Sequence, residues 1–303
     1  MQNNNTAAGT RYNSTVIKPQ LGRLEQILSF LPICKKTKPI IAVLYLSGVI
    51  GKVSAMKSGL SIEALNPLIE KAFEIKNLTA VCLAINSPGG SPVQSELIAK
   101  RIRSIATEKK IPVYSFVEDC AASGGYWLAC SGDQIYASAG SIVGSIGVIG
   151  SGFGFADAIS RIGVERRVFT EGRNKSILDP FKPVQKEDVD IIKKIQKQVH
   201  QHFINYVKER RAGKLTQEDD ILFNGEFWAG NTAVDYGLVD GLDDMYSFIK
   251  AKYGNVTFKY IGEKQSWLKK KLGIIGSNTI QNFSDSLIKS ISNKVKYDKF
   301  NVE

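Results

Sequence analysis

The chain is built on short, mostly apolar runs that alternate with segments of helical spacing. Three such runs are Ile40 to Leu46, Ala80 to Ile85 and Pro112 to Val117, and helical segments lie between them at about 62–75 and 93–106. A strand with little polar alternation is buried on both faces, as in parallel sheets covered by helices. The sequence therefore predicts an α/β domain with a parallel-rich sheet and flanking helices.

The later part of the domain is predicted to continue this pattern. We expect a strand at Glu165 to Thr170, a long amphipathic helix at about 185–211, and a short helix that ends at Gly237 before a strand at Leu238 to Val239. Basic residues with helically spaced apolar residues follow position 260, which is typical of amphipathic helices.

The charge is concentrated at the two ends of the chain. The formal net charge is +11; residues 1–38 carry six basic and one acidic side chain, and residues 261–303 carry eight and four. The middle is nearly balanced, which argues against a nucleic-acid-binding core. We expect three segments: a basic, partly disordered one at 1–38, a catalytic domain at 39–260, and a basic amphipathic tail at 261–303.

Membrane and metal signals are weak. The most apolar N-terminal stretch, Leu24 to Ile33, is about ten residues long, whereas a spanning helix needs roughly 20. The four cysteines show no CxxC spacing, so we expect free thiols and no metal or cofactor. The predicted location is the cytoplasm, and the basic ends make peripheral association with the inner face of a membrane a further expectation.

Ser123 is the first candidate for chemistry. It lies in Glu118-Asp-Cys-Ala-Ala-Ser-Gly-Gly-Tyr-Trp127, between a predicted strand and a predicted helix, with small residues around it. Helix N-termini stabilise anions, which suits a nucleophile whose reaction forms an oxyanion. The alternative is an ordinary N-cap, the most frequent role of a serine at this position. Glu118 and Asp119 are expected to support the turn, with acid/base chemistry as the alternative.

A second loop, Asn86-Ser-Pro-Gly-Gly-Ser91, also follows a buried strand and precedes a helix. Adjacent glycines can direct backbone N–H groups outward as an oxyanion hole requires, and the alternative is a plain turn. Because the two loops follow successive parallel strands, we expect them to meet at one edge of the sheet.

The general base is harder to predict from the residues. His200 and His202 lie on the long helix, where surface or packing roles are expected. Lys175, in Glu171-Gly-Arg-Asn-Lys-Ser-Ile-Leu-Asp-Pro-Phe181, is the remaining candidate. A lysine amine accepts a proton only when it is neutral, which burial favours, and the alternative is a solvated side chain.

Several segments together resemble the signal peptide peptidase SppA (protease IV) family, including its SohB-type members, over roughly residues 40–245. They are Leu46 to Ile50, Ile85 to Ser91, Ala121 to Tyr126, Gly140 to Gly147, Gly172 to Lys175, Asp179 to Phe181 and Gly237 to Asp240.

This resemblance implies a ClpP/crotonase-like fold of repeated β-β-α units and a Ser-Lys dyad. Ser123 is then the nucleophile, Lys175 the general base, and Gly90 and Gly124 the oxyanion donors. It also implies a homo-oligomer in which Ser and Lys can come from neighbouring subunits. Many members carry an N-terminal membrane anchor, which this chain is not expected to have.

The expected function is thus a serine endopeptidase that hydrolyses signal-peptide remnants or other short or unfolded polypeptides through an acyl-enzyme. Two alternatives stay open: a crotonase-like acyl-CoA enzyme that uses carboxylates such as Glu118, and a non-catalytic membrane-associated scaffold that depends on the basic ends.

Overall fold

The computed structural model of the chain describes residues 38–54 and 57–262. The strands, in chain order, are β1 (Ile40–Ser47), β2 (Lys52–Ser54), β3 (Lys57–Ser58), β4 (Leu78–Ser87), β5 (Val113–Ala122), β6 (Gln134–Ala137), β7 (Ile142–Gly144), β8 (Phe227–Ala229), β9 (Gly241–Leu242) and β10 (Thr257–Ile261). The helices are α1 (Ile62–Phe73), α2 (Pro92–Lys109), α3 (Gly124–Ala129), α4 (Ala156–Arg161), α5 (Lys186–Arg210), α6 (Asp219–Leu222), α7 (Gly230–Asp235) and α8 (Met245–Tyr253).

The main sheet is almost entirely parallel. Its strands follow the order β10-β1-β4-β5-β6-β9, and every neighbouring pair along this path is parallel. Strand β7 pairs in parallel with the last residues of β5, and β8 pairs with β7 in the antiparallel direction. The predicted α/β class with a parallel-rich sheet and flanking helices is confirmed.

Both faces of the sheet are covered, which explains why its strands lack polar alternation. Along β1, Ala42, Leu44 and Leu46 belong to a core shared with α1, α2, α3 and α5. The intervening Ile41 and Val43 belong to a second core under α8. Because successive side chains of a strand point to opposite faces, both sets must be apolar.

Helix α7 ends as predicted, at a glycine. The Gly237 N–H donates to Val234 O at 2.9 Å, and the φ of Gly237 is +70°, a left-handed conformation that favours glycine.

Some predicted elements differ from the structure. The predicted strand at Glu165 to Thr170 is wrong: this segment is mostly exposed and pairs with no strand in 38–54 or 57–262. Leu238 to Val239 is not a strand, because both amides bond back to Ala233 O at the end of α7. The edge strand β10 was not predicted. Of the two expected terminal segments, 1–37 and 263–303 lie outside the described residues.

Within the described ranges, no helix is both long and apolar enough to cross a membrane.

A buried ion pair fixes the end of α5 to the rest of the domain. The Arg211 guanidinium is 2% exposed; it donates to Gly237 O at 2.9 and 2.7 Å and to the Asp240 carboxylate at 2.6 Å. Asp240 also accepts bonds from Lys214 Nζ at 2.6 Å and from the Ile135 amide at 2.7 Å. These bonds join α5, the end of α7 and strand β6.

The same bonds set the protonation of Asp240. Burial by itself raises the pKa of this carboxyl, but the bonds from Arg211, Lys214 and the Ile135 amide outweigh it and hold the pKa below its usual value. The ionised form is therefore favoured in the folded state.

We predict that Arg211→Met lowers the free energy of unfolding by roughly 3 kcal/mol, because it leaves part of a buried carboxylate charge uncompensated. Urea unfolding followed by circular dichroism measures this loss. Arg167→Met is the matched control, since Arg167 pairs with Glu165 at an exposed site, and it should leave the unfolding midpoint almost unchanged. Equal effects of the two substitutions would contradict the assignment.

We also predict an acid-sensitive contribution from Asp240. Its pKa is lower in the folded chain than in the unfolded one, so its stabilisation is present above about pH 4 and is lost as the pH falls through the folded-state pKa. The difference in stability between wild type and Asp240→Asn should therefore shrink below about pH 4. Urea titrations from pH 7 to pH 3 test this, and a difference that is constant over the range would refute it.

Candidate active site

Ser123 lies at a sharp turn between β5 and α3. Its φ is 52° and its ψ is −123°, so a residue with a side chain adopts a left-handed φ directly before the helix. Such conformations cost free energy and persist only where the surroundings enforce them, which is frequent at functional sites. A strained strand-to-helix turn is also the geometry that exposes a nucleophilic serine in hydrolases.

The hydroxyl of Ser123 does not cap the helix. The serine backbone is fixed by a bond from its N–H to Gly144 O at 2.8 Å, and its carbonyl accepts the amides of Tyr126 at 2.9 Å and Trp127 at 3.1 Å. Its side chain makes no capping hydrogen bond. The ordinary N-cap interpretation is therefore wrong, and Oγ is free for another role.

The Gly89–Gly90 turn packs directly against the Ser123 turn. A Cβ on Gly89 would lie 2.8 Å from the Cβ of Ser123 and 2.7 Å from the Gly124 amide. Gly90 has a φ of +145°, and a Cβ there would lie 2.1 Å from Ile50 O. Only glycine fits at either position, so the two loops meet at the carboxyl edge of the sheet as their sequences predict.

Two backbone amides, of Gly90 and Gly124, lie next to each other in this contact. A Cβ built on Gly124 would be 3.4 Å from Gly90 N and 2.3 Å from the hydroxyl of Ser95, which closes the other side. Neither amide donates a hydrogen bond to any residue in the described part of the chain. Two adjacent free N–H groups beside a serine can bind an anionic oxygen.

A small, mostly apolar pocket adjoins Ser123. The residues that line it are Gly90, Pro92, Ser123, Gly124, Trp127, Gly147, Val148, Val199 and Phe203. Trp127 forms its base: the indole stacks on Phe203 with ring centroids 4.6 Å apart and is almost fully buried. The pocket is narrow, with room for little more than one water molecule, and its walls beside the serine are apolar.

Both histidines have packing roles near this pocket, as expected. His200 Nε2 lies 3.0 Å from Ile146 O, which holds the segment leading to Gly147. His202 Nε2 lies 3.1 Å from the Glu96 carboxylate, and its ring packs on Trp127. Neither histidine lines the pocket.

Lys175 lies apart from this group. It is exposed, in the loop before α5, and is not among the residues that line the Ser123 pocket. The loop itself is ordered by Asp179, which accepts bonds from Arg166 Nε and the Phe181 amide, each at 3.1 Å. The structure thus brings Ser123, Gly90 and Gly124 together within one chain and leaves Lys175 outside.

Asp119 and Glu118, the two carboxylates near the Ser123 turn, lie in different surroundings. Asp119 accepts a bond from Asn86 Nδ2 at 2.7 Å, so it links the ends of β4 and β5 as expected. Glu118 lines a different cavity, under α8. Burial, and to a smaller extent the charge of Asp119, raises the pKa of Glu118.

Sequence reasoning missed the pocket residues supplied by α5. Val199 and Phe203 belong to the apolar stripe of this helix, but helical spacing alone does not say which part of the sheet the stripe meets. Ser95, which packs against Gly124, also carries no sequence signal.

Comparison with known proteins finds one family profile and several similar proteins. The profile of Peptidase family S49 matches residues 105–254, which include Ser123 and Lys175. A Brucella melitensis protein named Na(+)/H(+) antiporter NhaA is 50% identical over 227 residues, 75% of this chain and 31% of that protein. A putative signal peptide peptidase SppA of Enterococcus faecium is 32% identical over 67% of this chain and 62% of its own length. Protease 4 of Haemophilus influenzae is 34% identical over 66% and 32%.

The chain spans less than two thirds of the length of each of these three relatives. Two of the three relatives are named as proteases or peptidases. By its profile match, the chain carries a peptidase family S49 domain at residues 105–254, and it is similar to SppA-type peptidases and proteases.

Proposed function

We propose that the chain is a serine endopeptidase that cleaves signal-peptide remnants or other short or unfolded polypeptides with a Ser123–Lys175 dyad. The observation that carries the proposal is the strained turn at Ser123, which presents an uncapped hydroxyl beside the free amides of Gly90 and Gly124. The profile match to family S49 supports the same chemistry.

The reaction has two halves. Ser123 Oγ attacks the peptide carbonyl carbon while the neutral Lys175 amine takes the hydroxyl proton, and the Gly90 and Gly124 amides bind the resulting oxyanion. The carbonyl re-forms, the C–N bond breaks, and the ammonium returns its proton to the leaving amine. Water then attacks the acyl-enzyme, its proton passes to Lys175, and Ser123 regains a proton as the acid product leaves.

This mechanism needs Lys175 close to Ser123 and shielded from water. In the isolated chain the lysine is exposed and outside the Ser123 pocket. We therefore propose that each site takes its lysine from a neighbouring copy in a homo-oligomer. Burial of the amine between copies would favour the neutral form that a base requires.

The loop-rich segment between β7 and α5, residues 145–185, supports an assembly of copies. It carries large apolar side chains in full contact with water: Ile149 is 89% exposed and Phe169 is 93% exposed. Helix α4 within it has no buried residue. Exposed apolar surface of this kind is typical of protein–protein contacts.

The acyl-CoA alternative has less support. It needs a carboxylate acid or base next to the oxyanion donors, but Glu118 lines a cavity that shares no residue with the Ser123 pocket. The scaffold alternative depends on the basic ends, which lie outside the described residues, and it leaves the strained Ser123 turn without a role.

We predict that a fluorophosphonate probe labels Ser123 and that Ser123→Ala abolishes both labelling and peptide hydrolysis. Lys175→Ala should lower kcat by at least about 10³-fold, because the hydroxyl loses its base. Mass spectrometry locates the label, and a fluorogenic peptide assay measures turnover. Ser151→Ala and Lys182→Ala, at exposed positions of the same segment, serve as controls and should keep wild-type activity. Full activity in Ser123→Ala or Lys175→Ala would disprove the dyad.

A second prediction tests the shared site. Ser123→Ala and Lys175→Ala chains with different tags are co-expressed and purified through both tags in turn. If each site joins two copies in a ring, random mixing restores about a quarter of wild-type activity per subunit. Chains that co-purify but remain inactive would show that the base does not come from a neighbouring copy.

A further inference from the structure

A second cavity lies on the opposite face of the sheet from the Ser123 pocket, at the carboxyl ends of the parallel strands. It is open, has a volume of about 160 Å³, and lies under the start of α8. The residues that line it are Tyr45, Ala84, Phe116, Val117, Glu118, Ser138, Asp243, Asp244, Met245 and Tyr246. The carboxyl ends of the strands are where α/β sheets bind ligands, and the cavity has room for one side chain of a ligand.

The lining of this cavity is acidic. It contains three carboxylates, and no Lys, Arg or His is among the described residues that line it. Two of the carboxylates have local partners: Asp243 accepts the Asp244 amide at 2.8 Å, and Asp244 caps α8 through the amides of Tyr246 and Ser247. A local excess of negative charge in a chain of net charge +11 favours a cationic ligand.

Glu118 is the carboxylate without a partner. Its side chain makes no hydrogen bond or ion pair with any residue in 38–54 or 57–262. An irregularity in the strand pairing places it there. Strand β4 advances by two residues, from Ile85 to Ser87, while its partner β5 advances by four, from Val117 to Ala121. The extra residues bulge outward, which presents Glu118 to the cavity.

Tyrosine rings form the mouth of the cavity. Tyr45 is 43% exposed and Tyr246 is 50% exposed, and the two are joined through Tyr260, which stacks on Tyr45 at 6.2 Å and whose hydroxyl lies 3.3 Å from that of Tyr246. The faces of such rings attract cations. Aromatic rings around a carboxylate suit an organic cation with an apolar stem.

A metal ion fits the cavity less well. No group of three or more His, Cys, Asp or Glu side chains comes together as a set of metal ligands anywhere in the described part of the chain. Lysine and arginine side chains combine a charged end with an apolar stem, and they match both the carboxylate and the rings.

We propose that this cavity binds the lysine or arginine side chain of a peptide substrate, at a distance from the bond that is cleaved. The inference rests on the proposed peptidase function and names its substrate class: apolar peptides that carry a basic residue. Glu118 lies on β5 and Ser123 directly follows the end of this strand, five residues further along the chain, which is at most about 17 Å. An extended peptide of about five or more residues can therefore reach both.

The test measures binding rather than turnover. Full-length Ser123→Ala protein is titrated with a labelled apolar decapeptide that carries one lysine, and with the same peptide carrying norleucine instead, by fluorescence anisotropy. We expect the lysine peptide to bind about tenfold more tightly, which is the effect of one charge-assisted contact. When the lysine is moved along the peptide, the affinity should be greatest with the lysine five or more residues from the bond that Ser123 would cleave.

Substitutions at the cavity assign the effect to its residues. Adding Glu118→Gln should remove the tenfold preference, Glu118→Asp should retain part of it, and Tyr246→Leu should reduce it about threefold. Glu108→Gln, an equal change of charge at an exposed position on the far end of α2, should leave it intact. A preference that survives Glu118→Gln, or one that Glu108→Gln removes equally, would overturn the proposal.

The result does not depend on catalysis. A lysine preference without turnover by wild-type protein would support the proposed binding cavity and reject the peptidase function. Turnover without the preference would support the peptidase function and reject the binding cavity. In active protein, Glu118→Gln should raise KM for the lysine peptide and leave kcat unchanged, because the contact is the same in the ground state and the transition state.

Discussion

The site depends on how closely two turns approach at the carboxyl edge of the sheet. A Cβ on Gly89, Gly90 or Gly124 would collide with a neighbouring atom, so the turns after β4 and β5 pack closely and place the Gly90 and Gly124 amides beside Ser123. The parallel sheet provides this approach because successive strands end at the same edge. The strain at Ser123 is borne by the surrounding bonds to Gly144, Tyr126 and Trp127.

The sequence predicts this part of the molecule well because its signals are local. Apolar runs define β4 and β5; the glycine pair after β4 lies in a turn, and the pair after β5 begins helix α3. Whether the Ser123 hydroxyl caps the helix could not be decided from composition, since a cap and a nucleophile occupy the same position. The backbone geometry decides it.

The remaining features depend on contacts between distant segments. Phe169 lies in a run of strand-forming residues, yet the run joins no sheet and stays exposed, because propensity does not specify a pairing partner. The position of Lys175 relative to Ser123 cannot be obtained from either loop alone. Glu118 and Asp119 look equivalent in the sequence, but the irregular pairing of β4 and β5 gives them separate surroundings.

Helix α5 is deeply buried only toward its C-terminus. Its buried residues, Phe203 and Val207, and the Arg211 ion pair all lie toward its C-terminus, whereas its first half has no fully buried residue. Val199, near the boundary between the two halves, forms a wall of the Ser123 pocket. Val199 therefore borders the pocket at the point where the helix passes from its buried half to its partly exposed half. The width of the pocket beside the serine depends on how this less buried half is packed.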